Sequence, residues 1–398
     1  MTPPATLPPD PSRIRRLLVI RRKALGDAVV TLPAVLRLAA AFPLARVDLV
    51  VDRPYAPLLA ALARGLVILP WPPRREDAGA AATPAGGAGV ADDAVPGVPP
   101  GGWVRCLRAA RYDLVVDYLG SPRTALWTAL SGAPLRVGYD LRWRRWAYNV
   151  RAPRNREGRF PLAEFAGEGF LDPLRALGLP TAPWRPALAG GSAALGADYL
   201  RWRDGWRATP GRCIGLALSA TWSAKAWPAG SAAALYRRAQ AEGARPLIVT
   251  GPGDERLAAS IRAELPDAAF TPPTTLPELA DLLSGLDLLV ATDCGPRHLA
   301  AALDVPTVTL FGPTDPRGWN PEHPRHVVVR TGETCSPCDL IECPIPGHPC
   351  MTGLTAEMVW TKVQTLLEAT PRGAETAPAG ERRGADGDPA ARRRGRPG

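Results

Sequence analysis

Residues 286–316 read LDLLVATDCGPRHLAAALDVPTVTLFGPTDP. Two nearly continuous apolar runs, 286–291 and 305–311, flank an Ala/Leu-rich stretch at 297–303. Strands buried on both faces of a parallel sheet lose the polar alternation of half-exposed strands, and a helical crossover joins them, so the stretch reads strand, helix, strand. Its polar residues gather at the first junction, Asp293-Cys294-Gly295-Pro296-Arg297-His298. A loop leaving the carboxyl end of such a strand presents backbone N–H groups, and the next helix adds partial positive charge, so the junction suits a phosphate. Gly295 permits close backbone approach. Taken alone, the segment fits equally well as an ordinary crossover whose Asp293 and His298 cap and solvate the helix.

Two more junctions of this kind follow from the neighbouring sequence. Residues 212–243, RCIGLALSATWSAKAWPAGSAAALYRRAQAEG, run from a strand through a loop holding Thr221 and Lys225 into a helix that opens near Trp227-Pro228. Proline suits a first helical turn, a lysine ammonium reaches phosphate as a point charge, and a threonine hydroxyl donates to it. A lone loop lysine is otherwise solvated surface. A third strand, ARPLIVTG at 244–251, leads through Asp254 and Glu255 into another helix. Three strand ends then meet at one sheet edge, where open α/β sheets bind ligands.

The amino-terminal half repeats the pattern in residues 14–52, IRRLLVIRRKALGDAVVTLPAVLRLAAAFPLARVDLVVD. Gly26 and Asp27 stand at its first strand-to-helix turn. A bare aspartate there reads as a helix cap, although a carboxylate at that place also has the chemistry of a base. Pro33 implies a helix starting near Thr31 or kinked at the proline.

In order, LLVIRRKALGDAVVTLPAVLRL (17–38), YDLVVDYLGSPRTALWTALSGAPLRVGYD (112–140), SAKAWP (223–228) and TDCGPRHLAAALDVPTVTLFGPTDPRGWNP (292–321) resemble glycosyltransferase family 9, the bacterial heptosyltransferases of the lipopolysaccharide inner core. The resemblance spans residues 14–365. It implies an α/β fold of GT-B type, with two Rossmann-like doubly wound domains facing an interdomain cleft, and an inverting sugar transfer. It also implies Asp27 as general base, with Gly26 keeping the approach open. Thr221 and Lys225 would contact the diphosphate. Asp293, Cys294, Gly295 and His298 would contact diphosphate and sugar, and Asp254 or Glu255 the ribose. Cys294 departs from the family's Ser or Thr, replacing a hydroxyl with a weak thiol donor. Ala220 removes a second hydroxyl that some members carry. The resemblance implies no cofactor and no catalytic metal, with a nucleotide-diphosphate sugar, ADP-heptose first, as substrate. Lys225 and two helix N-termini would stabilise the departing diphosphate.

Domains are expected at 14–185 (acceptor side) and 207–354 (nucleotide-sugar side), with a helix at 355–368 crossing back onto the first domain. The Pro/Gly/Ala-rich segment 71–102 has no periodic core face and is expected to be a mobile low-complexity loop inserted in the first domain, while the amino-terminal 1–13 and the tail 369–398 lack the apolar content to offset ordering entropy and are expected to be disordered. The chain has 398 residues, 46% of them hydrophobic, enough for two cores of ordinary size. No apolar stretch approaches the roughly 20 residues that span a bilayer, and the amino terminus has no apolar signal core, so a cytoplasmic protein is expected.

The formal charge of +10 is partly concentrated in RWRRW, residues 142–146. Arg142, Arg144 and Arg145 interleaved with indoles suit an anionic, partly apolar surface, so peripheral contact with a glycolipid acceptor at the inner membrane face is expected, on the acceptor side of the cleft. Any one of these arginines alone reads as solvated surface. Nucleic acid ranks low, because no recognition motif accompanies the charge. Four of seven cysteines, Cys335, Cys338, Cys343 and Cys350, have spacing that fits a tetrahedral metal or reduced thiols packed in a loop. Two other classes stay open: a GT-B-like enzyme of epimerase type, which would need no acceptor, and a catalytically silent nucleotide-sugar-binding relative.

Overall fold

The computed structural model describes residues 8–71, 102–154, 164–186, 188 and 194–370. Most of the low-complexity loop expected at 71–102 and nearly all of the tail lie outside these residues. Within the amino-terminal 1–13, expected to be disordered, Pro11–Arg13 form a 3-10 turn capped by the Asp10 carboxylate.

Among the described residues, eleven strands form two all-parallel sheets. The first holds β1 (Arg16–Ile20), β2 (Arg46–Asp52), β3 (Val67–Trp71), β4 (Leu114–Asp117), β5 (Leu135–Tyr139) and β6 (Val150–Ala152). Its order is β3-β2-β1-β4-β5-β6. The second holds β7 (Cys213–Ala217), β8 (Arg245–Ile248), β9 (Leu288–Thr292), β10 (Thr307–Leu310) and β11 (His326–Val329), in the order β11-β10-β9-β7-β8. All of β7, β9 and β10 is buried; β7 and β9 are accordingly almost wholly apolar, while β10 alternates threonine with Val308 and Leu310. In each sheet the order reverses at one place, between β1 and β4 and between β7 and β9. Chains diverge to opposite faces there, leaving a crevice at the carboxyl edge where ligands bind. Asp27 follows β1, and Asp293 follows β9.

The helix Leu25–Ala41 begins directly after β1 and runs through Pro33 without stopping. Asp27 is therefore inside its first turn and not at the cap, which Ala24 occupies without a side-chain hydrogen bond. The apolar face of this helix packs on the first sheet, and its start meets the start of helix Gly295–Ala302 from the second. A Cβ on Gly26 would lie 2.7 Å from the His298 ring, and one on Gly295 would lie 3.3 Å from Leu25. One buried core accordingly joins residues of both halves, from Leu17 and Val29 to Leu299 and Ala300.

Helix Ala197–Ala208 belongs with the second unit, since Tyr199 donates to Asp281 at 2.7 Å. The helix Ala356–Glu368 does not cross back onto the first domain as expected. Its buried Val359, Trp360, Val363 and Leu366 join the core formed by β7, β8, β9 and helix Ala229–Ala241. The apolar stripe of that helix finds its partner within the second domain.

Candidate active site

On the second sheet, Asp293 is the centre of a closed network. Its Oδ1 accepts from Arg297 Nη2 at 2.7 Å, and its Oδ2 accepts from Lys225 Nζ at 2.9 Å and Thr314 Oγ1 at 3.0 Å. His298 Nε2 lies 3.6 Å from the same carboxylate. The Asp293 side chain is 5% exposed and that of Arg297 is fully buried. Burial alone would raise the Asp293 pKa, but Arg297, Lys225 and His298 outweigh it and hold the carboxyl well below the usual range. Two full cations face one carboxylate, so the cluster keeps one positive charge in excess. Lys225 also lies 4.3 Å over the Trp222 ring, which fixes its ammonium at the cleft.

Helix Gly295–Ala302 starts beside this network, and its N-cap residue, Cys294, makes no side-chain capping hydrogen bond. Cys294 turns its thiol inward to the Ala217 carbonyl at 3.7 Å, and burial raises its pKa. Thr221 is exposed on the loop after β7. Asp254 is half-buried and accepts from Gly251 N–H at 2.7 Å, closing its own turn; burial raises its pKa. Glu255 is exposed, and one of its oxygens accepts from Gly253 N–H at 3.2 Å; its own backbone N–H and that of Gly253 lower its pKa.

On the first sheet, Arg21 Nη2 meets Asp27 Oδ2 at 2.9 Å. Arg21 is fixed from behind by the Tyr118 carbonyl at 3.1 Å and by the Phe170 ring at 4.9 Å. Asp27 opens into a cavity of about 170 Å³ lined also by Arg21, Tyr118, Tyr139, Arg154 and Phe170. The buried Tyr118 hydroxyl has no hydrogen-bond partner among the described residues. Aromatic faces with a few charged groups suit a sugar, whose C–H faces stack while its hydroxyls bond. Trp319 lines this cavity too. Its ring sits 5.7 Å from His298, edge to face, and its carbonyl accepts from Arg297 at 2.8 Å, so it joins the two halves of the cleft.

The structure thus brings Asp27, Gly26, Lys225, Asp293, Gly295 and His298 to one cleft. Arg142, Arg144 and Arg145 do not line the Asp27 cavity. Arg144 instead donates to the Gly120 carbonyl at 2.7 Å, and Arg142 and Arg145 are exposed. The cavity's arginines are Arg21 and Arg154. Sequence reading also passed over Arg297, Thr314, Tyr118 and Trp319. For Arg297 a signal existed: it lies four residues after Asp293, the spacing at which opposite charges on a helix meet. The four loop cysteines are free thiols, with Cys350 raised to about 11 by burial and by the other three nearby.

Two doubly wound domains with their carboxyl edges turned to one cleft are the GT-B architecture of nucleotide-sugar transferases. The family described as glycosyltransferase family 9 (heptosyltransferase) matches residues 103–348. Lipopolysaccharide heptosyltransferase 1 of Pseudomonas aeruginosa is 30% identical over 395 residues, covering 89% of this chain and 98% of the relative. Among solved structures, Escherichia coli ADP-heptose lps heptosyltransferase II superposes with a TM-score of 0.65 at 21% identity, over 89% of this chain and 99% of that one. Escherichia coli heptosyltransferase WaaC with ADP-2-deoxy-2-fluoro heptose gives 0.60 at 23% identity, over 88% and 99%. The chain belongs to glycosyltransferase family 9 and is a glycosyltransferase. Among the described residues no helix is long and apolar enough to cross a membrane.

Proposed function

We propose that the enzyme transfers heptose from ADP-heptose, with inversion, onto a lipopolysaccharide core acceptor. The observation that carries this reading is the opposition of two unlike carboxylates across one cleft: Asp27 on an aromatic cavity, and Asp293 locked among cations beside a helix N-terminus. An acceptor hydroxyl seated in the Asp27 cavity attacks the anomeric carbon from the face opposite the diphosphate. The new C–O bond forms as the bond from that carbon to the phosphate oxygen breaks. The hydroxyl proton passes to the Asp27 carboxylate, whose Oδ2 is held by Arg21. ADP leaves with the bonding electrons. Its charge is met by Lys225, by the excess positive charge around Asp293 and by the backbone N–H groups after Cys294.

For the ribose diol the reading favours Glu255 over Asp254, because Asp254 is engaged in closing its own turn and Glu255 is exposed. His298, against Gly26 and Trp319, borders donor and acceptor and faces the transferred sugar. Membrane contact falls to the turn after β5. Trp143 and Trp146 are 76% and 60% exposed, Trp146 donates to the Trp143 carbonyl, and Arg142 lies 5.2 Å over the Trp143 ring. Indoles with flanking guanidiniums suit the headgroup layer of an anionic leaflet, on the same sheet edge as the acceptor cavity.

The test is nucleotide release from ADP-, UDP- and GDP-sugars, each with and without a heptose-free lipopolysaccharide core acceptor. Acceptor-dependent release from ADP-heptose is expected. Product from donor alone would favour the epimerase-type reading, and ADP binding without turnover on any acceptor would favour the silent relative.

A further inference from the structure

A second constellation lies at the opposite edge of the second sheet, away from the cleft. Among the described residues, Asp304, His323 and His326 are the one set of three ligating side chains whose donor atoms all lie within 4.8 Å of one another. Asp304 ends the crossover into β10, with φ 60°, and His326 opens β11 directly beside Thr307 of β10. His326 is 4% exposed. Its Nδ1 pairs with Thr307 Oγ1 at 3.1 Å, and its Nε2 is buried with no hydrogen-bond partner among the described residues. If Nδ1–H donates to the threonine, the Nε2 lone pair is left facing its neighbours. An imidazole whose far N–H is fixed by an oxygen is how proteins present a metal ligand, and an orphaned buried acceptor otherwise costs stability.

We propose that Asp304, His323 and His326 bind a borderline divalent cation, Zn²⁺ first, with water as the fourth ligand. Two imidazoles and one carboxylate suit that ion, at bond lengths that place ligand atoms about 3.4 Å apart. The half-buried His323 side chain closes the remaining gap. The ion would pin the β10 and β11 loops together and takes no part in sugar transfer. One charge must give way: Arg325 Nε lies 3.4 Å from Asp304 Oδ1, while Arg325 Nη2 holds the Asp304 carbonyl at 2.7 Å. Arg185 is the other cation near His323.

The experiment is Co²⁺ titration of the chelator-treated full chain, followed by absorption. One equivalent is expected with tetrahedral visible bands and without the near-ultraviolet thiolate band that the Cys335 loop would give. His323→Ala, checked for folding by circular dichroism, should weaken this equivalent by at least about 10-fold, as should Asp304→Asn, and Thr307→Val by about 10-fold through loss of the supporting hydrogen bond. Arg325→Gln should tighten it, an outcome that general damage to the fold does not produce. Absence of a thiolate-free equivalent in the wild type, or its survival in folded His323→Ala, overturns the proposal.

Discussion

Both sheets place an aspartate beside an arginine at the point where strand order reverses, yet the two pairs live in different surroundings. Asp27 meets Arg21 at 2.9 Å with its side chain 27% exposed; Asp293 meets Arg297 at 2.7 Å with its side chain 5% exposed. Asp293 adds Lys225 and Thr314, so both oxygens are occupied. Among the described residues Asp27 has one ion-pair partner, and it opens to a cavity. A carboxylate wrapped in cations is a fixed charge that organises its neighbours. A carboxylate with an open side can take a proton.

That contrast predicts different costs for removing each arginine. Arg297→Ala strands a buried carboxylate beside Lys225 alone and should lower stability by about 3–5 kcal/mol, read from denaturant midpoints. Arg21→Ala leaves Asp27 within reach of water and should cost clearly less. Equal losses would break the comparison. Next in size is Gly26→Ala, whose new methyl meets the His298 ring where the two helices touch. Overpacking there should cost about 1–3 kcal/mol and displace the ring that borders both substrates, so turnover should fall with it.

A third difference is confined to acid. Asp293 has a folded pKa below its ordinary 3.8, so its stabilisation is complete above that value and is lost as pH falls through the lower folded value. Unfolding measured from pH 5 to pH 2 should show this loss in the wild type and a shallower loss in Asp293→Asn. Smallest is the surface pair: Trp143→Ala with Trp146→Ala should change stability by no more than about 0.5 kcal/mol. Co-sedimentation with anionic lipid vesicles should nonetheless fall. Unchanged vesicle binding would remove the turn after β5 from the acceptor side of the account.

The parallel strands were legible because burial on both faces writes itself as apolar runs, as in β7 and β9. The strand-end loops were legible because glycine and polar residues interrupt those runs. The Asp27 cap was misread because the helix begins at Leu25, well before the Thr31 start that Pro33 suggested, placing the carboxylate inside the first turn. The Arg142–Arg145 cluster was set at the cleft on composition, but residue type does not fix direction: Arg144 bonds to the Gly120 carbonyl and its neighbours face outward. Tyr118 and Trp319 could not be read at all, since only folding brings them beside Asp27. The Asp304, His323 and His326 group was hidden likewise, split across two loops that meet only when β10 pairs with β11.

The central claim, that one half of the cleft holds the nucleotide and the other removes the proton, is tested most directly by measuring ADP affinity and single-turnover transfer from ADP-heptose in Asp27→Asn and Lys225→Ala. Asp27→Asn should bind ADP as the wild type does and lose about 10²–10⁴ in rate. Lys225→Ala should weaken ADP binding by roughly 10-fold or more, as loss of a charged hydrogen bond does. Normal turnover in Asp27→Asn, or ADP affinity lost with Asp27 and kept without Lys225, would contradict the account.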